Sequence, residues 1–244
     1  MSELDGMPVL VFDLTGPFAH YKKIFATTTA LTYPIPPKSS LYGLFAAILG
    51  LEKEGNNYLN SFREGSCRVA IRLMRPVAVQ RLTINLRPSF GALRGTENRK
   101  PTLMEFVDRP HYRIYFTHRD EELYGKLKDL LERGQSFYTP TLGIANLIGQ
   151  ITYVGEGKAE SSREEDIDSV LPKRALEKLL PPPPGRNTRL MEVGQYAVEM
   201  LPSRDVTVRE NIVLDRGGLP IAARVTDAYR ITGLSENADR VLFF

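Results

Sequence analysis

Ala30-Leu-Thr-Tyr-Pro-Ile-Pro-Pro-Lys-Ser-Ser-Leu-Tyr-Gly-Leu-Phe-Ala-Ala-Ile-Leu-Gly50 carries an extended, proline-spaced lead straight into an apolar helix rich in small residues. Pro34, Pro36 and Pro37 hold the approach in polyproline-type geometry and bar helix before Lys38, because each ring fixes its own φ and restricts the residue before it. Ser39 or Ser40 can then cap a helix running from about Ser40 to Leu51. The unpaired N–H groups of its first turn, the positive end of its dipole and Lys38 beside it suit a phosphate. A plain N-cap with no ligand fits the same residues. The helix is apolar nearly all round, with Gly43, Ala46, Ala47 and Gly50 as small contact points, so it is expected inside, packed on a sheet.

Outward from this helix, Pro8 to Leu14 contains the run Val9-Leu-Val-Phe12, the pattern of a buried central strand, ended by Gly16-Pro17. Val69, Ile71 and Leu73 alternate with Ala70, Arg72 and Met74, which predicts a strand with one wetter face stopped at Pro76. Residues 109–117 repeat the theme, Tyr112, Ile114 and Phe116 alternating against Arg113 and Tyr115. Asp120 opens an amphipathic helix with Leu123, Leu127, Leu130 and Leu131 on one face, Glu121 and Glu122 in the first turn and Gly134 after Arg133. A fourth strand is expected at about Gly149 to Val154. Strand, helix, strand, strand, helix, strand is the order of the split βαβ unit, so the fold class is α+β, a ferredoxin-like (RRM-type) βαββαβ unit; RNA-recognition modules of this type use aromatics on an exposed sheet.

Between the second and third strands lies an insertion, Val79 to Asp108, holding Arg81, Arg87, Arg94, Arg99 and Lys100 with Phe90, Gly91 and Gly95 interleaved. Its flanks, Gln80 to Leu86 and Thr102 to Val107, can pair as a hairpin arm with a basic tip at Pro88 to Pro101; a flexible surface hairpin is the plainer alternative. Net charge is only +3, yet from Arg68 to Arg119 eleven Lys and Arg face three acids, a local balance of +8 against −5 for the rest. A polyanion partner follows from that distribution, with a solvated basic face as the alternative.

A length of 244 residues at 42% hydrophobic content allows one large domain or two small ones with a real core. No segment approaches the roughly 18 to 20 uninterrupted apolar residues of a membrane span, and no basic n-region marks a secretory signal, so a cytoplasmic location and no membrane partner are expected. The one cysteine, Cys67, excludes an internal disulfide and any cysteine-rich metal site; no metal and no cofactor is expected. After the polar, acidic stretch Glu156 to Asp168, Pro181 to Pro184 and Gly185 form a stiff tether. The expected organisation is a first domain over 1–157 with the insertion at about 79–108, an acidic and Pro-rich linker over 158–190, and a β-rich accessory region over 191–244.

Val9-Leu-Val-Phe-Asp-Leu-Thr-Gly-Pro-Phe-Ala-His-Tyr-Lys-Lys23, Thr27-Thr-Thr-Ala-Leu-Thr-Tyr-Pro-Ile-Pro-Pro37 and Leu41-Tyr-Gly-Leu-Phe-Ala-Ala-Ile-Leu-Gly50 together resemble the N-terminal signature of CRISPR-associated protein family 5, within the RAMP superfamily. Phe137-Tyr-Thr-Pro-Thr-Leu-Gly-Ile-Ala-Asn146 resembles the segment that family carries before its last core strand. These matches cover about a third of the chain; residues beyond 160 match no pattern of the family. The resemblance implies the same fold, with the insertion as a thumb that reaches into bound RNA. It also implies a non-catalytic, RNA-binding subunit of a type I CRISPR surveillance (Cascade) complex, closest to the type I-B branch. Such a subunit caps the 5′ repeat-derived handle of crRNA, touches the backbone and large subunits, and meets target DNA through the complex. Gly143, Gly149, Gly155 and Gly157 are similar to the superfamily's glycine-rich loop, although their loose spacing fits ordinary turns better.

The expected RNA contacts are His20, Tyr21, Lys22 and Lys23, then Lys38, Ser39 and Ser40, then Arg81, Arg87, Phe90, Arg94, Arg99 and Lys100. Cations would meet phosphates, and Tyr21, His20 or Phe90 would stack on bases. One branch of the family processes precursor RNA with a tyrosine, a lysine and a histidine, the last two adjacent. No Lys-His pair occurs here, so the chain is expected not to be an enzyme and no catalytic residue is assigned. Tyr42 and the cluster His20-Tyr21-Lys22-Lys23 keep a metal-independent endoribonuclease acting on crRNA repeats as the alternative.

Overall fold

A computed structural model describes residues 3–23, 29–63, 65–86, 100–234 and 238–244, with the backbone alone at 86 and 100. The first half contributes β1 (Pro8–Thr15), β2 (Phe18–Ala19), β3 (Tyr21–Lys22), β4 (Thr32–Tyr33), α1 (Lys38–Leu49), β5 (Cys67–Leu73), β6 (Val79–Leu86), β7 (Lys100–Asp108), β8 (His111–His118) and α2 (Glu121–Glu132). The second half contributes β9 (Gln150–Ser162), β10 (Asp166–Ile167), β11 (Leu171–Pro172), β12 (Leu176–Leu179), β13 (Leu190–Met200), β14 (Val206–Asp215), β15 (Ile221–Val225), β16 (Ala228–Thr232) and β17 (Arg240–Val241).

The central sheet has the order β17-β16-β9-β1-β8-β5, and every neighbouring pair is antiparallel. β1 is apolar without a break from Val9 to Phe12 because both of its faces are covered. Leu10, Phe12 and Leu14 face the main core with Tyr112, Ile114 and Phe116 of β8, in the register Leu10↔Phe116 and Phe12↔Ile114. α1 lies in the β1–β5 connection and α2 in the β8–β9 connection, and both bury their apolar residues in that core. Phe45 of α1 meets Phe116 edge to face at 4.7 Å and Phe12 at 6.2 Å. α2 begins where its sequence says: the Asp120 side chain accepts from the N–H groups of Glu122 and Leu123 at 3.0 and 3.1 Å.

The opposite face of the sheet is not open. Val9, Val11, Ala70 and Tyr115 are buried there with Ala159, Tyr229, Ile231 and Val241, closed over by Leu4, Met7, Val154, Leu234 and Phe243. At the β5 edge the backbones of Val69 and Phe244 exchange two hydrogen bonds, 3.3 and 3.0 Å, and Val170 donates to Ile71, so that edge is sealed.

The insertion forms the expected arm, with β6 and β7 paired from Val79↔Val107 to Leu86↔Lys100 and β2 added beside β7. Its tip, 87–99, lies outside the described residues. The boundary expected at 157/158 falls inside β9, which pairs with β16 from Lys158↔Thr232 to Ser162↔Ala228. The stretch expected as a linker contains β10, β11 and β12, each hydrogen-bonded to β14 or β15. Val193, Tyr196, Val198, Ile212 and Leu214 of the long β13–β14 hairpin enter the same core as α1. Shared apolar surface therefore ties the C-terminal strands to the first unit.

Candidate nucleic-acid interface

Proline carbonyls, once buried, still need donors. Tyr112 of β8 donates its hydroxyl to Pro34 O at 2.8 Å, and Tyr196 of β13 donates to Pro36 O at 2.7 Å. Tyr33 donates to Gln195 O at 2.7 Å and meets the Tyr196 ring edge to face at 6.1 Å. Burial pushes the Tyr112 and Tyr196 hydroxyls far up in pKa, so both remain protonated donors. The lead into α1 is thus clamped from the sheet on one side and the β13–β14 hairpin on the other.

The start of α1 departs from the sequence-based expectation. Its cap is Pro37, which makes no side-chain cap; Ser39 and Ser40 lie inside the first turn, half-buried, and Ser40 N–H donates to Pro37 O at 2.8 Å. Lys38 is 1% exposed, and its Nζ sits 3.0 Å from Oε1 of Glu199, which also accepts from the Tyr42 hydroxyl at 2.9 Å. The Lys38 charge is therefore met by the protein's own carboxylate from β13. Lys38 is corrected from a phosphate contact to an internal ion-pair partner, because a buried ammonium needs a fixed counter-charge.

In the cluster at 20–23, His20 is 2% exposed, with Nδ1 2.7 Å from Glu105 O. Tyr21 is buried, its hydroxyl has no hydrogen-bond partner among the described residues, and burial pushes its pKa up. Neither ring can stack on a base, which corrects both expectations. Gly143 explains the tight fit: at φ +99°, a Cβ there would stand 2.0 Å from His20 O. Lys22 is exposed, and half-buried Lys23 holds its ammonium 5.7 Å from the Tyr33 ring centre.

At the base of the arm, Arg81 projects into solvent and pairs with Glu105 at 3.0 Å. Glu105 Oε2 also accepts from Thr32 N–H at 3.3 Å, which ties the arm to the strand before the proline lead. Val79, Leu82 and Leu103 leave apolar side chains exposed on the arm. Arg87, Phe90, Arg94 and Arg99 lie outside the described residues, as does the side chain of Lys100.

Much of the basic excess in the middle of the chain is met by acids from elsewhere. Arg113 binds Asp13 at 2.8 and 3.2 Å, Arg72 pairs with Asp168 and Asp239, and Arg68 and Arg119 pair with Glu3. Burial, the largest influence on Asp13, raises its pKa, but hydrogen bonds from Arg113 and His111 outweigh it and hold the carboxyl below its usual range. Tyr115 donates to Asp239 within the same layer, so among the described residues this sheet face offers no exposed aromatic for a base. The other two histidines are also engaged: His111 Nε2 is 3.1 Å from Asp13, and His118 bridges Ser61 O and Asp120 N–H at 2.7 and 3.0 Å. Tyr42 is buried on Glu199, so no described histidine or family-type tyrosine presents a free acid or base at the surface.

Sequence reading passed over one exposed pair. Phe137 and Tyr138 leave 70% and 55% of their surface open, held by backbone hydrogen bonds to Ile48 O and Ala47 O of α1 at 3.1 and 2.9 Å. The signal was present in Phe137-Tyr138 and in Gly50, whose φ of 73° and missing Cβ let the Phe137 ring lie against it.

No curated relative matches the chain. Among solved structures it is similar to a chain of a CRISPR RNA-guided surveillance complex, with 16% identity, 87% of this chain and 91% of that chain covered, and a TM-score of 0.51. It is also similar to a chain of the Type III-B Cmr-beta bound to cognate target RNA and AMPPnP, with 12% identity, 89% and 86% covered, and a TM-score of 0.50. A CRISPR protein from Archaeoglobus fulgidus aligns over 96% of this chain and 99% of its own, at 13% identity and a TM-score of 0.49. The first two likenesses are of fold. The model of the CRISPR-associated protein (Cas_Cas5) family matches residues 9–213, most of the sequence, and the chain belongs to that family.

Proposed function

We propose that this chain is a non-catalytic RNA-binding subunit of a type I CRISPR surveillance complex, built on a ferredoxin-like unit, that caps the 5′ repeat-derived handle of crRNA and contacts the backbone and large subunits. Membership of the family supports the assignment. The observation that carries it is a set of neighbouring cations: exposed Lys22 and half-buried Lys23 at the end of β3, and exposed Arg81 on the arm, joined through Thr32 and Glu105. The strand order β9-β1-β8-β5, with helices in the β1–β5 and β8–β9 connections, supports the ferredoxin-like reading. The engaged histidines favour holding RNA over cutting it.

The test is fluorescence anisotropy with a labelled oligonucleotide carrying the handle of the host's own repeat. Cations on single-stranded phosphates predict affinity that falls about 20-fold from 50 to 200 mM salt for three contacts, with the oligonucleotide intact afterwards. Absence of binding at low salt, or cleavage at a single site by the wild-type protein, would overturn the proposal.

A further inference from the structure

Beside α1 lies a cavity of about 390 Å³, lined by Gly43, Ala47, Leu51, Lys53, Tyr58 and Tyr138 among others. Its floor is made of small residues on one helix face, and its rim is aromatic. The backbone that carries Tyr138 is tied to the last turn of α1, its N–H donating to Ala47 O at 2.9 Å. Large exposed aromatics held in place around a recess are the usual make-up of the anchoring centre of a protein interface. Pre-ordering them lowers the entropy lost on association.

Two features choose the occupant. The lining is mainly apolar, so it supplies few partners for the polar edges of a base. Lys53 lines the cavity, and its neighbours in the chain, Glu52 and Glu54, are both exposed, with no ion pair to either glutamate among the described residues. Two carboxylates against one ammonium repel a phosphodiester and attract a cationic side chain. We propose that this cavity is a docking site for a neighbouring protein subunit, which inserts a bulky apolar side chain between Tyr58 and Tyr138 and sets an adjacent Lys or Arg against Glu52 and Glu54. The inference rests on the reading of this chain as a subunit of a larger assembly, and it assigns a surface and a partner chemistry to that contact.

The test places the photo-crosslinker benzoylphenylalanine at position 138 of the full chain, assembled with its co-expressed subunits and guide RNA and then irradiated. The expected product is a protein–protein adduct that survives ribonuclease, with the attached peptide carrying a bulky apolar residue beside Lys or Arg. An adduct lost on ribonuclease treatment, or no adduct in an intact assembly, overturns the proposal. Two variants give an independent reading: Ala47→Arg fills the floor, and Tyr138→Ala removes a solvent-facing ring without touching the core. Both should weaken association with the protein subunits at least tenfold while binding of the isolated chain to the handle oligonucleotide stays within twofold. Unchanged association in both variants overturns the docking site. Failure of the wild-type chain to bind the oligonucleotide counts instead against the RNA reading.

Discussion

Lys38 and Glu199 meet at 3.0 Å across 161 residues of sequence, both withdrawn from solvent, one opening α1 and the other near the end of β13. The pair, with the Tyr42 hydroxyl, binds the helix to the C-terminal hairpin and settles which anion Lys38 meets.

Glu199→Gln should therefore act on stability. It leaves the Lys38 charge buried without a counter-charge, for which a loss of about 3–5 kcal/mol is expected. Lys38→Met combined with Glu199→Leu removes both charges and should recover most of that loss. Urea unfolding of the three proteins decides the matter; a Glu199→Gln protein within about 1 kcal/mol of wild type would mean the pair is hydrated.

Acid should loosen the fold through Asp13 and Asp166, whose carboxyls Arg113 and Arg186 hold below the usual range. A depressed folded pKa contributes stability that is complete above the unfolded value, about 3.9, and is lost as pH falls through the folded value. The urea midpoint should be level above about pH 5 and drop below about pH 4. Asp13→Asn should flatten that drop and lower stability at neutral pH by about 3 kcal/mol, since it removes the charge of the carboxylate 2.8 Å from the Arg113 guanidinium.

Gly143→Ala should be far more harmful than Gly134→Ala. Both positions have positive φ, +99° and +61°, but only at 143 would the new carbon run into backbone, 2.0 Å from His20 O. A cost near 1 kcal/mol is expected at 134 and about 3 kcal/mol or more at 143. Gly143→Ala should also disturb handle binding, because His20 lies two residues before Lys22; equal melting temperatures for the two variants would contradict the difference in stability.

Lys22→Ala should reduce RNA affinity without affecting the fold. Loss of one phosphate contact lowers the slope of log K against log salt by about 0.7, while urea stability stays within about 0.5 kcal/mol of wild type. An unchanged slope would remove Lys22 from the interface.

Cys67 should be chemically silent in the native protein. Burial pushes its thiol up to about 12, leaving almost no thiolate at neutral pH. Reaction with an aromatic disulfide reagent is expected only in denaturant, and prompt labelling of the folded chain would contradict the burial.

The framework was legible in the sequence because periodicity reports burial locally. Val9 to Phe12 marked a strand covered on both faces, the Leu123, Leu127 and Leu131 spacing marked α2, and the paired flanks of the insertion marked β6 and β7. The candidate site was legible only in part, since accessibility depends on partners far along the chain. Nothing near Lys38 announces Glu199, and nothing near Arg72 or Arg113 announces Asp239, so cations destined for internal pairs read as free. His20 and Tyr21 looked like aromatics for stacking for the same reason.

The long reach of the Lys38–Glu199 pair also bears on synthesis. α1 leaves the ribosome well before β13, and until that hairpin arrives its ammonium, the Tyr42 hydroxyl and the carbonyl of Pro36 stay hydrated and the helix lacks one wall of its housing. Ordering so distant a pair requires closure of a very large loop, which places the locking of α1 late in maturation and exposes a sticky apolar rod in the meantime. Cells making this protein would then gain from chaperone shelter during the interval between translating the helix and translating its counter-charge.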